Sequence, residues 1–396
     1  MDFDAIVIGA GPAGSSTAFA LAQLGWAVAI VEKSEFPRRK VCGEFLSATN
    51  LSLLARFGLD KTWRAEAGPE VRRVGLFAAG SRIEAPMPRS PDGGYGRALG
   101  RDRLDGLLLK MAGEAGAVVF QPWQAVRATA EGDVQALRIV SGREEMSLRA
   151  PVVIGAHGSW EPGKLQSQLE RTFKSSDLFG FKAHFTSAQM EADLMPLLLF
   201  PGGYGGMVWS DRGHLSVSCC IRRDMLAELR KAPGCSSAGE AVQRHVMASC
   251  RGVADTLKGA SIEGNWLAAG PIRPGIRPRY ADDIFRVGNA AGEAHPLIAE
   301  GISMAMQSGW LLASELACCK IHNRAARQRA GQRYSARWRR QFVLRIGVAD
   351  LFARIAAFPR SADIVGPLVT TFPKILTLGA ELSGKSKIVP AWGDGR

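Results

Sequence analysis

Ala5-Ile6-Val7-Ile8 is a short apolar run that ends at Gly9, residues 12–24 are small and apolar up to Gly25, and residues 27–31 are apolar again. Unbroken apolar runs of this length predict strands buried on both faces, and the stretch between them predicts a helix with Pro12 in its first turn. A strand, a helix and a second buried strand predict a parallel pair with a right-handed crossover and a ligand crevice at the strands' carboxyl ends. Further on, residues 74–77 and 81–85 flank Ala79-Gly80 as a hairpin. Leu104, Leu107, Leu108 and Met111 share one face of a helix over residues 103–115, and residues 117–120 follow as a strand. Two alternating runs between 134 and 149 meet at Ser141-Gly142 and are expected to continue the same sheet into the apolar stretch 151–155. From 179 to 222 the period becomes two, with Gly-rich turns at 202–206 and 212–213, which predicts antiparallel strands. Phe285-Arg286-Val287-Gly288 returns to a strand, loop and helix pattern, so the first domain is expected to be discontinuous around an antiparallel insert.

Gly9-Ala10-Gly11-Pro12-Ala13-Gly14 has G-x-G-x-x-G spacing. Gly9 makes the tight turn, Gly11 admits a pyrophosphate to the backbone, and Gly14 lets helix and strand pack closely. The helix N-terminus, at Ala13, offers the phosphates free N–H groups and about half a positive charge. Glu32 ends the second strand where an adenosine ribose would be held, with Lys33 beside it. A strand before the glycines, a helix after them and an acid at the next strand end together predict an adenine dinucleotide.

Gly288-Asn289-Ala290-Ala291-Gly292-Glu293-Ala294-His295-Pro296 and Glu300-Gly301-Ile302 resemble the second flavin segment of FAD-dependent oxidoreductases of the aromatic-hydroxylase type. The resemblance implies that Gly288 and Asn289 meet the ribitol of FAD and that Pro296 lies near the isoalloxazine. It also implies that the helix begun at Gly301 and Ile302 points its N–H groups at the flavin pyrimidine. Arg101, ahead of a helix, is similar to the family's phosphate arginine, and Val126 to the position whose backbone meets adenine. Val153-Ile154-Gly155-Ala156-His157-Gly158 is similar to an Ala-Asp-Gly segment, with His157 in place of the Asp; Asn289 likewise replaces an Asp. An Asn oxygen still accepts a hydrogen bond from a hydroxyl. Within the family the chain most resembles the geranylgeranyl reductase-like branch. Phe36-Pro37-Arg38-Arg39-Lys40-Val41-Cys42-Gly43-Glu44 is similar to that branch's loop, which brings a cysteine to the flavin, and Pro201-Gly202-Gly203-Tyr204-Gly205-Gly206 to its substrate-domain motif.

The implied fold is α/β, or α+β overall. A discontinuous Rossmann-type FAD domain comprises residues 1–73, 97–160 and 270–325, an antiparallel substrate domain 74–96 and 161–269, and a helical segment 326–396. The implied activity is an NAD(P)H-driven monooxygenase acting on an aromatic or largely apolar substrate, lipid-like or carrier-bound. A carbon–carbon double-bond reductase of the geranylgeranyl type and a non-redox FAD-dependent cyclase are the alternatives. No second G-x-G-x-x-G occurs, so NAD(P)H is expected to visit transiently, and the Trp-x-Trp-x-Ile-Pro motif of flavin halogenases is absent. Cys42 reads either as a working thiol or as a small buried hydrophobe. His295 either bonds substrate or flavin, or caps a helix. Tyr204 and Trp209 either line the pocket or brace the sheet. His184 and His214 are expected on the sheet surface, and the paired cysteines 219–220 and 318–319 in the core.

With 396 residues, 46% hydrophobic and 22% charged, the chain is long enough for two or three domains and too apolar for disorder. Its seven cysteines form no C-x-x-C pair, which excludes a disulfide framework and a structural zinc, and no metal is expected. The start lacks a basic region and no apolar run reaches the roughly 18 residues of a spanning helix, so a cytoplasmic location is expected. The net charge is +13, and residues 320–345 contain no acid, with Arg329, Arg333, Arg337 and Arg340 on one helical face. That face is either a solvated helix or a contact for the anionic inner surface of a membrane. Nucleic acid is excluded because no aromatic platforms interleave the arginines. Residues 364–382 are apolar but broken by Pro367 and Pro373, and are expected to form a docked helical cover.

Overall fold

The computed structural model describes residues 1–91, 93–159, 165, 167–168, 173–231, 234, 236–356 and 367–385. Its first sheet has six strands, in the order Tyr280–Ala281, Ile284–Arg286, Val152–Gly155, Ala5–Ile8, Val28–Val31 and Val118–Phe120. All neighbours are parallel except the outermost Tyr280–Ala281 pairing. Continuous apolarity follows from this position, because both faces are covered. Ala5 and Val7 face a core shared with the helices Pro12–Ala22, Arg101–Glu114 and Gly301–Leu316. Ile6 and Ile8 face the opposite way, onto Leu137, Ile139 and Leu148.

Those last residues correct one expectation. The runs between 134 and 149 do not extend the first sheet; with Gln124–Glu131 they form a separate antiparallel sheet of three strands that covers its back. Tight turns such as Ser141-Gly142 let each run pair with its neighbour in sequence, so they close a meander of their own rather than adding to a parallel edge.

The second sheet has seven strands, in the order Ser261–Ile272, Leu178–Thr186, Leu215–Arg222, Gly203–Trp209, Leu194–Phe200, Arg73–Ala78 and Ser81–Pro86. Pairing is antiparallel except between Leu194–Phe200 and Arg73–Ala78, which run parallel. These two strands are far apart in the chain, so no hairpin dictates their relative direction. One face of the sheet packs on the helices Ala238–Ser249 and Arg251–Thr256 through Phe181, Phe185, Cys219 and Val246. Cys220 turns to the other face, against Tyr204, Ile272 and Leu297.

The helix Arg324–Ala356 buries Tyr334, Trp338, Phe342 and Ala349 against the first core and Ala353 and Ala356 against the second. The apolar C-terminal stretch docks as the helix Lys374–Ala380, with Thr377 Oγ1 donating to the Pro86 carbonyl at 2.8 Å. Residues 364–366 of that expected cover lie outside the described residues. Among the described residues, no helix is long and apolar enough to cross a membrane.

Candidate active site

The carboxyl ends of the parallel strands and the underside of the second sheet enclose a cavity of about 530 Å³, within the usual range for a cofactor or ligand site. Its floor carries Gly9, Gly11 and Ala13 from the glycine turn, and Glu32 and Lys33 from the end of the second strand. Lys40, Cys42 and Gly43 close one side, and Arg101 stands at the start of its helix. Gly288, Asn289, Pro296, Gly301 and Ile302 close the other. Segments nearly 300 residues apart in sequence therefore meet at one hole.

Three expected residues do not line it. Gly14 stands behind the turn, where a Cβ would lie 1.9 Å from the Gly9 carbonyl oxygen, so its lack of a side chain is a packing requirement. Val126 falls at a bulge between Ala125 and Arg127, which moves it off the cavity and leaves Gln124 and Ala125 on the wall. His295 lies behind Tyr204, whose hydroxyl is 3.1 Å from His295 Nδ1.

The polar atoms around the floor suit an anion. Gly9 has a left-handed backbone, φ 106°, that brings its carbon within 2.7 Å of the Ala156 carbonyl were a Cβ added. The N-termini of Pro12–Ala22 and Gly301–Leu316 both open onto the cavity, each supplying free N–H groups. Glu32 accepts from the amides of Ala10 and Ser34, both at 2.9 Å, and pairs with Arg38 at 3.2 Å. Arg38 Nε and Arg39 Nε and Nη2 are buried with no hydrogen-bond partner among the described residues, although both side chains reach the wall. Buried donors of this kind are costly unless a ligand satisfies them. The Arg101 guanidinium is fixed by Asp105 at 2.6 and 2.8 Å. A dinucleotide with its pyrophosphate on the glycine turn fits this donor set.

The two departures from Asp take defined places. Asn289 donates its amide to Glu293 Oε1 at 3.1 Å, which leaves the side-chain oxygen as the acceptor. His157 lies between the Gly158 carbonyl at 2.9 Å and Ser167 Oγ at 2.8 Å. Glu293, which the sequence did not single out as a functional residue, is buried and takes a bond from Ser159 Oγ at 2.6 Å; burial pushes its carboxyl up, against the pull of Ser159 and Arg277.

A second buried cluster forms the roof beside Cys42. Glu44, with φ 63°, accepts from Lys182 Nζ, from His184 Nε2 at 2.8 Å and from the Arg101 amide at 3.2 Å. Burial alone would raise the Glu44 carboxyl, but the His184 hydrogen bond and the Lys182 charge outweigh it and hold the group at about 2. His184 is thus buried rather than on the sheet surface, stacked on His214 at 5.4 Å. A lysine in a run of otherwise apolar alternation was the available signal for this cluster. Cys42 Sγ accepts from the Glu44 amide at 3.4 Å, and Gly43 lies where a Cβ would be 3.3 Å from Ser218 Oγ, so loop and sheet are in close contact.

A family model described as FAD binding domain matches residues 2–343. The chain belongs to that family. It is an FAD-dependent oxidoreductase of the kind the glycine turn and the second flavin segment implied. This flavoprotein is 30% identical to digeranylgeranylglycerophospholipid reductase 2 of Methanopyrus kandleri over 86% of its own length and 83% of the relative's. It is 23% identical to the menaquinone reductase of Mycolicibacterium smegmatis over 96% and 91% of the two chains. A geranylgeranyl bacteriochlorophyll reductase-like protein of Thermoplasma acidophilum shares its fold at TM-score 0.76 and 20% identity, covering 98% of this flavoprotein and 94% of that chain. A flavin-dependent brominase shares it at 0.79 and 18%, covering 99% and 96%.

Proposed function

We propose that this flavoprotein reduces carbon–carbon double bonds in an isoprenoid chain of a lipid or quinone, with NAD(P)H as the transient electron donor. The observation that carries this reading is the continuation of the cavity past the flavin residues into an apolar chamber under the second sheet, walled by Met195, Leu197, Val208, Ile272 and Leu297. Such a wall excludes water and rewards a long hydrocarbon by about 25 cal/mol per Å² removed from water. The names of the two relatives, reductases of a geranylgeranyl lipid and of menaquinone, support the substrate class.

In this reading Gly9, Gly11 and Ala13 seat the pyrophosphate of FAD together with Arg101, Glu32 holds the ribose, and Lys33 and Lys40 flank the adenosine side. Asn289 receives a ribitol hydroxyl, while Pro296, Gly301 and Ile302 border the ring. When bound, FAD would supply hydride chemistry to a substrate in the chamber. Cys42 and Gly43 border that substrate, and replacing Cys42 by Ser is expected to slow turnover. Exposed Leu344, Leu351, Ile355, Leu368 and Phe372 of the C-terminal region, beside its arginines, support contact with an anionic membrane from which such a substrate is drawn.

The test is NAD(P)H oxidation by the purified holoenzyme in anaerobic buffer, with geranylgeranyl lipid or menaquinone presented in anionic vesicles. Products heavier by a pair of hydrogens for each bond reduced are expected, with protein co-floating with the vesicles. An oxygenated product formed only in air would make the enzyme the monooxygenase of the alternative reading, and an isomerised product without net NAD(P)H loss would make it a cyclase.

A further inference from the structure

Reducing a double bond requires a proton as well as a hydride, and the apolar chamber has few groups able to give one. Tyr204 lines it from the strand Gly203–Trp209. Behind Tyr204, His295 Nδ1 is 3.1 Å from the phenol oxygen, and His295 Nε2 is 3.4 Å from Asp350 Oδ1. Asp350 sits on the helix Arg324–Ala356 with 42% of its side chain exposed, braced by Arg354 Nε at 2.8 Å. A phenol in the cavity, an imidazole in the wall and a carboxylate in solvent thus form a continuous line across the shell of the protein.

We infer that Tyr204, His295 and Asp350 form a proton path from solvent to the chamber, with Tyr204 as the catalytic acid and His295 and Asp350 as positioning residues behind it. The inference rests on the reductase reading for its substrate. With His295 protonated, its Nδ1–H donates to the phenol oxygen and its Nε2–H to Asp350, which frees the Tyr204 O–H to turn into the chamber. One carbon of the double bond receives hydride, with its electron pair, from the cofactor that NAD(P)H has reduced. The other carbon forms its bond to the Tyr204 proton. The phenol oxygen takes the His295 Nδ1 proton in the same movement, leaving neutral His295 with its Nε2–H on Asp350; a turn of the ring then brings the bare nitrogen to the Asp350 side, where an acid of the solvent reprotonates it. The net change is one hydride and one solvent proton added across the bond.

The surroundings bear on when His295 is charged. Burial pushes its imidazole down, Asp350 pulls it up, and Arg354 opposes protonation. Beside Tyr204 stand Cys220, its cross-strand partner, and Glu293. Burial raises the phenol well above its ordinary range, so Tyr204 stays protonated until a stronger acid stands ready to replace its proton.

The experiment has two arms. In the first, the His295 imidazole of the isotope-labelled full chain is titrated by NMR in wild type, Asp350→Asn and Tyr204→Phe. Asp350→Asn is expected to lower its midpoint by about one pH unit, the low end of the effect of an adjacent opposite charge. In the second, the pH dependence of double-bond reduction is recorded in D₂O and H₂O. The rate is expected to fall above the His295 midpoint, and Asp350→Asn to move that limb downward by the same interval. Tyr204→Phe is expected to slow reduction about 10²-fold or more, the usual range for general acid catalysis. An unmoved titration midpoint and pH limb in Asp350→Asn, or a wild-type rate in Tyr204→Phe, would overturn the path. If the enzyme instead oxygenates its substrate, the first arm still decides whether the three residues are coupled, so failure of the path and failure of the reductase reading are told apart.

Discussion

Glu44 is closed off from water and shares its two carboxylate oxygens among Lys182, His184 and a backbone amide. Removing one member of a buried ion pair strands the other, at a cost of about 3–5 kcal/mol. Glu44→Gln is therefore expected to lower the free energy of unfolding in urea by that amount, and the added change Lys182→Met to restore most of it. Because the Glu44 carboxyl is held below its ordinary 4.5, at about 2, its contribution is complete above pH 4.5 and is lost as pH falls through that interval. Urea midpoints measured from pH 5 down to pH 2 should fall more steeply in wild type than in the double variant. Residues of this kind explain what the sequence could and could not reveal. The glycine turn was legible because each glycine answers a local steric demand, as Gly9 does with its left-handed φ and Gly14 with its contact on the Gly9 carbonyl. The Glu44 cluster was not, because its partners stand 138 and 140 residues away and nothing in either segment alone announces the other.

At the scale of elements, the helices Pro12–Ala22 and Gly301–Leu316 present their N-termini to one cavity because they cross closely. Gly309 makes the crossing possible: a Cβ there would lie 2.7 Å from the Ala13 carbonyl oxygen and 2.5 Å from Thr17 Oγ1. Gly309→Ala is expected to force the pair apart, costing about 1–3 kcal/mol as overpacking does. It should also weaken FAD retention on gel filtration, whereas Gly347→Ala, at an open position of the helix Arg324–Ala356, should leave FAD retention unchanged and raise stability by about 0.4–1 kcal/mol. Periodicity makes the helices and most strands readable, but a strand's partner is a tertiary choice, which is why the alternation over residues 134–149 does not reveal that they pair in a sheet of their own. The acid-free basic run shows the same limit. Arg333 and Arg337 reach Glu315 at 2.9 and 2.8 Å, Arg324 reaches Asp283 at 2.7 Å, and Arg327 and Arg345 are buried, so part of the apparent surface charge is spent inside the protein.

Across the whole molecule, the cofactor cavity is bounded by elements from both sheets, and a ligand seated there ties them together. FAD at about a hundred times its dissociation constant should stabilise the folded chain by about 2.7 kcal/mol. A rise in the melting temperature of the apoprotein on adding FAD, larger than with AMP at the same concentration, is the expected result; equal shifts would mean that only the adenosine half is held. The return of the strand Ile284–Arg286 to the first sheet was visible in the sequence as a repeated strand pattern, while the apolar chamber was not, since it is made by the way two sheets face each other.

The order of strands in the first sheet bears on synthesis as well. Its middle is assembled from Ala5–Ile8, Val152–Gly155 and Ile284–Arg286, and the last wall of the cavity arrives with Gly301 and Ile302. A nascent chain thus exposes its glycine turn well before the segments that close over it. Until the later segments emerge, Ala5–Ile8 lacks its Val152–Gly155 neighbour, and an unpaired apolar strand is an invitation to aggregation. Chaperone cover over the early strands would then bear on the yield of folded enzyme.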